Sequence, residues 1–181
     1  MKRTLIGGVT LALVAAAAVY IGDALNLGLS NPLLGVGVGG ALALAPGDRK
    51  LGRLAGFLVG VILAVLGYGL NAQFMPASSG GVAVTAIITL GLATAAAALS
   101  FGRMPLWSVL LGVGAFVGAY EYTYNDKPYD FLTSAPATLG AFLVTFGIGY
   151  LAAALVDWLF PEEEAQAEAS EPETVSVGSE G

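Results

Sequence analysis

The chain alternates long apolar runs with short polar breaks. A charge-free run from Thr4 to Gly22 follows Met1-Lys2-Arg3. At ~1.5 Å rise per residue it is just long enough to cross ~30 Å of hydrocarbon. A polar-leaning stretch from Asp23 to Asn31 leads to Pro32, which opens a glycine-rich run ending at Ala45-Pro46. This second run is short. It reaches crossing length only by starting near Leu27, and the alternative is a re-entrant segment shielded by protein or water. A third run covers Leu54 to Asn71, a fourth Val82 to Phe101, and a fifth Leu106 to Tyr120. A polar, aromatic loop is expected from Glu121 to Ser134, and Pro136 opens a sixth run that ends at Phe160-Pro161. The pattern predicts an all-α polytopic membrane protein. Residues 1–160 form a bundle of about six transmembrane helices, and residues 161–181 form a disordered acidic tail.

Composition agrees with a lipid solvent. Apolar residues make up 56% of the chain and charged residues 11%, against about a quarter charged in an ordinary soluble domain. The mean hydropathy is +0.80. A basic start before an apolar run also fits a signal peptide. This run is long for one, lacks a small-x-small cleavage site, and is followed by more apolar runs. The net charge of −6 comes largely from the tail, where Glu162, Glu163, Glu164, Glu168, Glu171, Glu173 and Glu180 stand without a basic residue. That composition cannot bury enough surface to fold alone.

Charge placement sets the orientation. Six spans put both termini on one side. Lys2, Arg3, Arg49, Lys50, Arg53 and Arg103 share that side, and Lys127 lies opposite. Basic residues collect in short cytoplasmic loops. The chain is therefore expected in the cell membrane with both termini cytoplasmic and these six residues as topology anchors. Tyr20, Tyr68 and Tyr120 fall near outer helix ends, and Trp107 and Trp158 near inner ends, as an interfacial aromatic belt would.

Two features concern packing and chemistry. Gly52, Gly56 and Gly60 repeat every four residues on one helix face, and Gly114 and Gly118 repeat the spacing in the fifth run. Such rows let helices in lipid approach closely, within one chain or across a homo-oligomer interface. No charge sits at the centre of a span, which counts against transport coupled through buried carboxylates. Thr85, Thr89, Thr94, Thr138 and Thr145 are mid-span polar residues expected to bond their own backbones or the next helix. Tyr68, Asn71, Glu121, Tyr124 and Asp126, joined by Gln73, are candidates for an outer vestibule. With no His and no Cys, imidazole bases, thiol nucleophiles and most transition-metal sites are excluded. No phosphate-binding or dinucleotide-binding glycine motif occurs. Neither an enzyme, a cofactor nor a nucleic-acid partner is expected.

The step from Leu44-Ala45-Pro46 into Arg49 and Arg53, and then Gly56 and Gly60, resembles a segment of the fusaric-acid-resistance (aromatic-acid exporter) membrane domain. There a short apolar helix ends in a basic turn and re-enters through a Gly-rich helix. The likeness covers about thirty residues, lacks the large cytoplasmic part of those exporters, and carries no functional residue across. The chain is also similar to small six-helix membrane proteins of unknown function. Its acidic, Lys-poor, Cys-free composition resembles that of haloarchaeal proteins.

Two functions stay open at this point. One is a small transporter or channel-like permease for a small molecule or ion. The other is a non-transporting scaffold or regulatory subunit that meets a cytoplasmic protein through its acidic tail.

Overall fold

A computed structural model describes residues 2–25, 32–47, 49–74 and 78–159. Among the described residues the chain is all-α, with six helices: α1 (Lys2–Ala24), α2 (Pro32–Leu44), α3 (Lys50–Phe74), α4 (Ser79–Leu99), α5 (Leu106–Asp126) and α6 (Phe131–Leu159). Four segments among them are long and apolar enough to cross a membrane: Ile6–Ala24, Lys50–Phe74, Ser79–Leu99 and Pro128–Leu159. The acidic tail and the side chains of Lys2 and Arg3 lie outside the described residues. So do residues 27–31, through which the second run was expected to reach full length. The described part, α2, has 13 residues, or roughly 20 Å at the helical rise.

Three boundaries differ from those expected. The polar loop at Glu121–Ser134 is mostly helix: α5 continues to Asp126, a single 3-10 turn spans Pro128–Asp130, and α6 begins at Phe131. Tyr124 and Phe131 of this stretch pack against the buried core, while Tyr122 and Tyr129 are exposed. Pro136 does not open α6 but sits inside it, where its missing N–H leaves one backbone acceptor unused. Helix α3 begins at Lys50, earlier than the first apolar residues suggested.

Two parallel helix pairs build the core, each in near-backbone contact. In the first, Gly60 of α3 packs on the carbonyl of Val109 in α5, and Gly112 of α5 packs on the carbonyl of Phe57 in α3. In the second, Gly39 of α2 packs on the carbonyl of Phe146 in α6, and Gly149 of α6 packs on the carbonyl of Val36 in α2. Both contacts are reciprocal, and each joins a carbonyl to a glycine three residues on. A Cβ at any of these four glycines would lie closer than 3.0 Å to the facing backbone. The two pairs pack on each other, while α4 packs on α3 and α5, and α1 packs on α2 and α6.

Buried rings fill the centre. Phe57, Phe116, Phe142 and Tyr120 are fully buried. Phe57 stacks on Phe146 with centroids 4.3 Å apart and meets Phe142 at 6.2 Å, while Phe142 meets Phe116 edge-on. Such offset and edge contacts suit the ring quadrupoles. The outer faces expose large apolar side chains, among them Leu13, Ile87 and Leu151, which the core of a chain this size does not absorb.

Candidate functional site

The α2–α3 and α4–α5 turns and the start of α3, at one end of the bundle, carry Arg49, Lys50, Arg53 and Arg103. Gly47 at φ +110 and Gly102 at φ +77 take left-handed conformations that make these turns tight. Arg53, one of the expected topology anchors, is 4% exposed. Its guanidinium donates to the carbonyls of Ala45, Pro46 and Gly47. These are the orphan acceptors at and beyond the C-terminus of α2, where the helix dipole favours a cation. Among the described residues, its Nε has no partner. Arg49 donates to the carbonyl of Gly102, and Gly52 backs onto the carbonyl of Arg103, so the α2–α3 and α4–α5 turns are joined. Lys50 pairs with Asp157 of α6 at 2.6 Å. Arg103 is exposed.

The opposite end of α3, α4 and α5 borders a half-open cavity of about 320 Å³, with Ala86, Leu90 and Gly114 of its lining exposed. A second, wider cavity of about 810 Å³ on its mouth side shares Asn71, Val82, Tyr124 and Asn125 with it and takes in Gln73, Ser78 and Tyr129. Small residues contribute to the lining: Ala64 and Gly67 from α3, Ala86 and Thr89 from α4, and Gly114 from α5. Toward the basic end the ring cluster around Phe57 and Phe116 follows, fully buried.

The structure brings four of the five candidate vestibule residues together. Tyr68, Asn71, Glu121 and Tyr124 all line the cavity. Asp126 is exposed at the end of α5 and lies outside the lining. Asn71 is 9% exposed and Thr89 is 8% exposed, and among the described residues neither side chain has a hydrogen-bond partner. Thr85, Thr94 and Thr145 bond their own helix, donating to Gly81, Leu90 and Ala141, whereas the Thr89 hydroxyl packs close to Gly67 of α3. Among the described residues Arg53 Nε is the buried side-chain atom without a partner. The polar atoms of Asn71 and Thr89 therefore keep contact with open space, and both residues line a cavity large enough for water or a ligand.

Tyrosine rings form one wall. The Tyr68 and Tyr124 centroids are 4.8 Å apart, and Tyr68 meets Tyr120 nearly edge-on at 5.0 Å. Tyr120 is 0% exposed, so it is not part of a surface belt. Its hydroxyl lies 2.7 Å from Ser134 Oγ. Ser134 spends its own hydrogen on the carbonyl of Asp130, which makes Tyr120 the donor. Tyr20, Trp107 and Trp158 are exposed, as a belt requires.

The glycine rows divide. Gly52, Gly56 and Gly60 all face the α5 side, against Arg103, Ser108 and Val109. Gly114 and Gly118 do not answer them. Gly114 has no neighbour within 4 Å of a built Cβ, and Gly118 meets only the tip of Leu34. The α5 glycine in the interface is Gly112. Two residues turn a helix by about 200°, so Gly114 points away from that contact and lines the cavity instead.

No group of three potential metal-ligating side chains occurs among the described residues. Fold and site together define, among the described residues, a six-helix all-α bundle, four of whose segments are apolar enough to cross a membrane, with a mostly apolar cavity that carries a few polar side chains. No family model, curated protein or solved structure matches the chain.

Proposed function

We propose that the chain is an integral protein of the cell membrane, with both termini cytoplasmic, that admits a small solute from the outer side into the α3–α4–α5 cavity. It would act as a small permease. The observation that carries this reading is the pair Asn71 and Thr89: largely buried polar residues, without a hydrogen-bonded side-chain partner among the described residues, lining a half-open and mostly apolar space. Polar groups set into an otherwise apolar pocket are the usual means of orienting a small ligand. The apolar outer faces and the gathering of basic residues at the opposite end support the membrane and its sidedness. The buried rings beyond the cavity favour a carrier caught open to one side over a continuous pore. No buried carboxylate lines the cavity floor, so coupling to a proton or sodium gradient is not part of the proposal.

The test is solute uptake by the purified full chain in proteoliposomes, against a broad panel of labelled small molecules. Uptake of at least one solute that is lost in Thr89→Trp, a variant that fills the cavity, is expected. Absence of uptake across the panel by correctly inserted protein contradicts the reading.

A further inference from the structure

The cavity has an electrostatic sign. Of all residues lining it and its mouth, Glu121 alone carries a formal charge. Lys127 is exposed and outside both linings. The charges of Arg49, Lys50 and Arg103 gather at the opposite end of the same helices, where Arg49 and Gly52 meet the α4–α5 turn. A single negative charge at the lip of an apolar, low-dielectric recess attracts cations and repels anions.

The walls suit an organic cation better than a metal ion. Only one carboxylate is present, whereas hard cations take several oxygen ligands. The tilted rings of Tyr68 and Tyr124, 4.8 Å apart, offer π-faces of the kind that bind ammonium groups. Buried Ala64 and Val113 and, nearer the surface, Val117 and Leu90 provide apolar lining, while Asn71 and Thr89 offer one amide and one hydroxyl. A volume of about 320 Å³ falls at the small end of ligand pockets.

We propose that the site takes small organic ammonium ions with an apolar body. The charged head would sit between Glu121 and the rings of Tyr68 and Tyr124, and the body would reach toward Thr89. This rests on the reading of the cavity as a solute site. Because Glu121 is itself exposed, the attraction is screened by salt.

The experiment is calorimetric titration of the full chain in lipid nanodiscs with benzyltrimethylammonium, benzoate and benzyl alcohol. Benzyltrimethylammonium carries a fixed charge at every pH. Saturable one-to-one binding of it is expected, with benzoate showing none. Glu121→Gln should weaken the cation by about three- to fivefold at low salt, the scale of an exposed charge contact, while Glu121→Asp retains most of the affinity. Thr89→Trp should abolish binding while an unchanged thermal transition reports an intact fold. Benzoate binding as tightly as the cation, or cation affinity indifferent to Glu121→Gln, overturns the proposal. If benzoate or benzyl alcohol alone binds and Thr89→Trp removes it, the cavity stands as a solute site and only the cation preference falls. If no probe shows binding sensitive to Thr89→Trp, both fall.

Discussion

Gly60 of α3 lies directly against the backbone carbonyl of Val109 in α5. Three residues further along α5, Gly112 returns the contact onto Phe57 of α3. The same arrangement joins α2 to α6 through Gly39 and Gly149. In each pair it is backbone, not a flexible side chain, that a new Cβ would strike, so the helices must separate to admit even a methyl group.

Gly60→Ala and Gly149→Ala should therefore each destabilise the protein by about 1–3 kcal/mol, the usual cost of overpacking. Gly114→Ala should be neutral or stabilising by up to about 1 kcal/mol, because it meets open space and alanine is the better helix former. Reversible unfolding in mixed micelles checks this. Equal losses at Gly60 and Gly114 would contradict the contact.

Arg53 and Lys50 carry the same charge at the same end, yet they should behave differently on mutation. Arg53→Met removes hydrogen bonds to three carbonyls from a buried site and should cost at least about 1.5–3 kcal/mol. Arg53→Lys should not restore it, since an ammonium lacks the planar fork that spans those acceptors. Lys50→Met breaks a pair whose lysine is more than half exposed and should cost under about 1 kcal/mol. The same unfolding measurement ranks the three variants.

Tyr120→Phe and Ser134→Ala each remove the hydrogen bond that ties α5 to α6. Each should cost about 1 kcal/mol. The double variant should cost clearly less than the sum, because the two side chains share one interaction. Additive losses in a double-mutant cycle would show that the bond contributes nothing.

Sidedness has its own test, made simple by the absence of cysteine. Ser79→Cys and Asp126→Cys should react in intact cells with a membrane-impermeant thiol reagent, while Phe101→Cys, on the opposite and basic end, should react only after permeabilisation. Reaction of Phe101→Cys in intact cells would invert the topology.

Much of this architecture was legible along the chain. Long charge-free runs marked each helix, and Tyr68, Asn71, Glu121 and Tyr124 were recognisable because polar and aromatic residues are sparse in such a sequence. Pairing was harder to see. Gly39 meets a helix more than a hundred residues away, and nothing local distinguishes it from Gly37, which faces open space. Gly114 and Gly118 had the right spacing on the wrong face, and the answering glycine was a lone Gly112. Tyr120 sat at the end of an apolar run and so resembled a belt residue. Its spacing of four from both Phe116 and Tyr124 was the available sign that all three share one buried face. Arg53 looked like one more basic turn residue, because its burial depends on α2 ending beside it. Thr89 could not be told from Thr85 until three helices of small residues were seen to leave room beside it.

The central claim is that solvent reaches Thr89 from the outer side while the outer face of the same helix lies in lipid. Ile87, two residues away on α4, is 72% exposed and outside the cavity lining, so the two positions separate the alternatives. The measurement is the rate at which Thr89→Cys and Ile87→Cys react with a membrane-impermeant thiol reagent added to intact cells. The account predicts that Thr89→Cys reacts despite its burial within the bundle and that Ile87→Cys does not. Reaction at Ile87→Cys with none at Thr89→Cys would contradict both the lipid-facing surface and the open cavity.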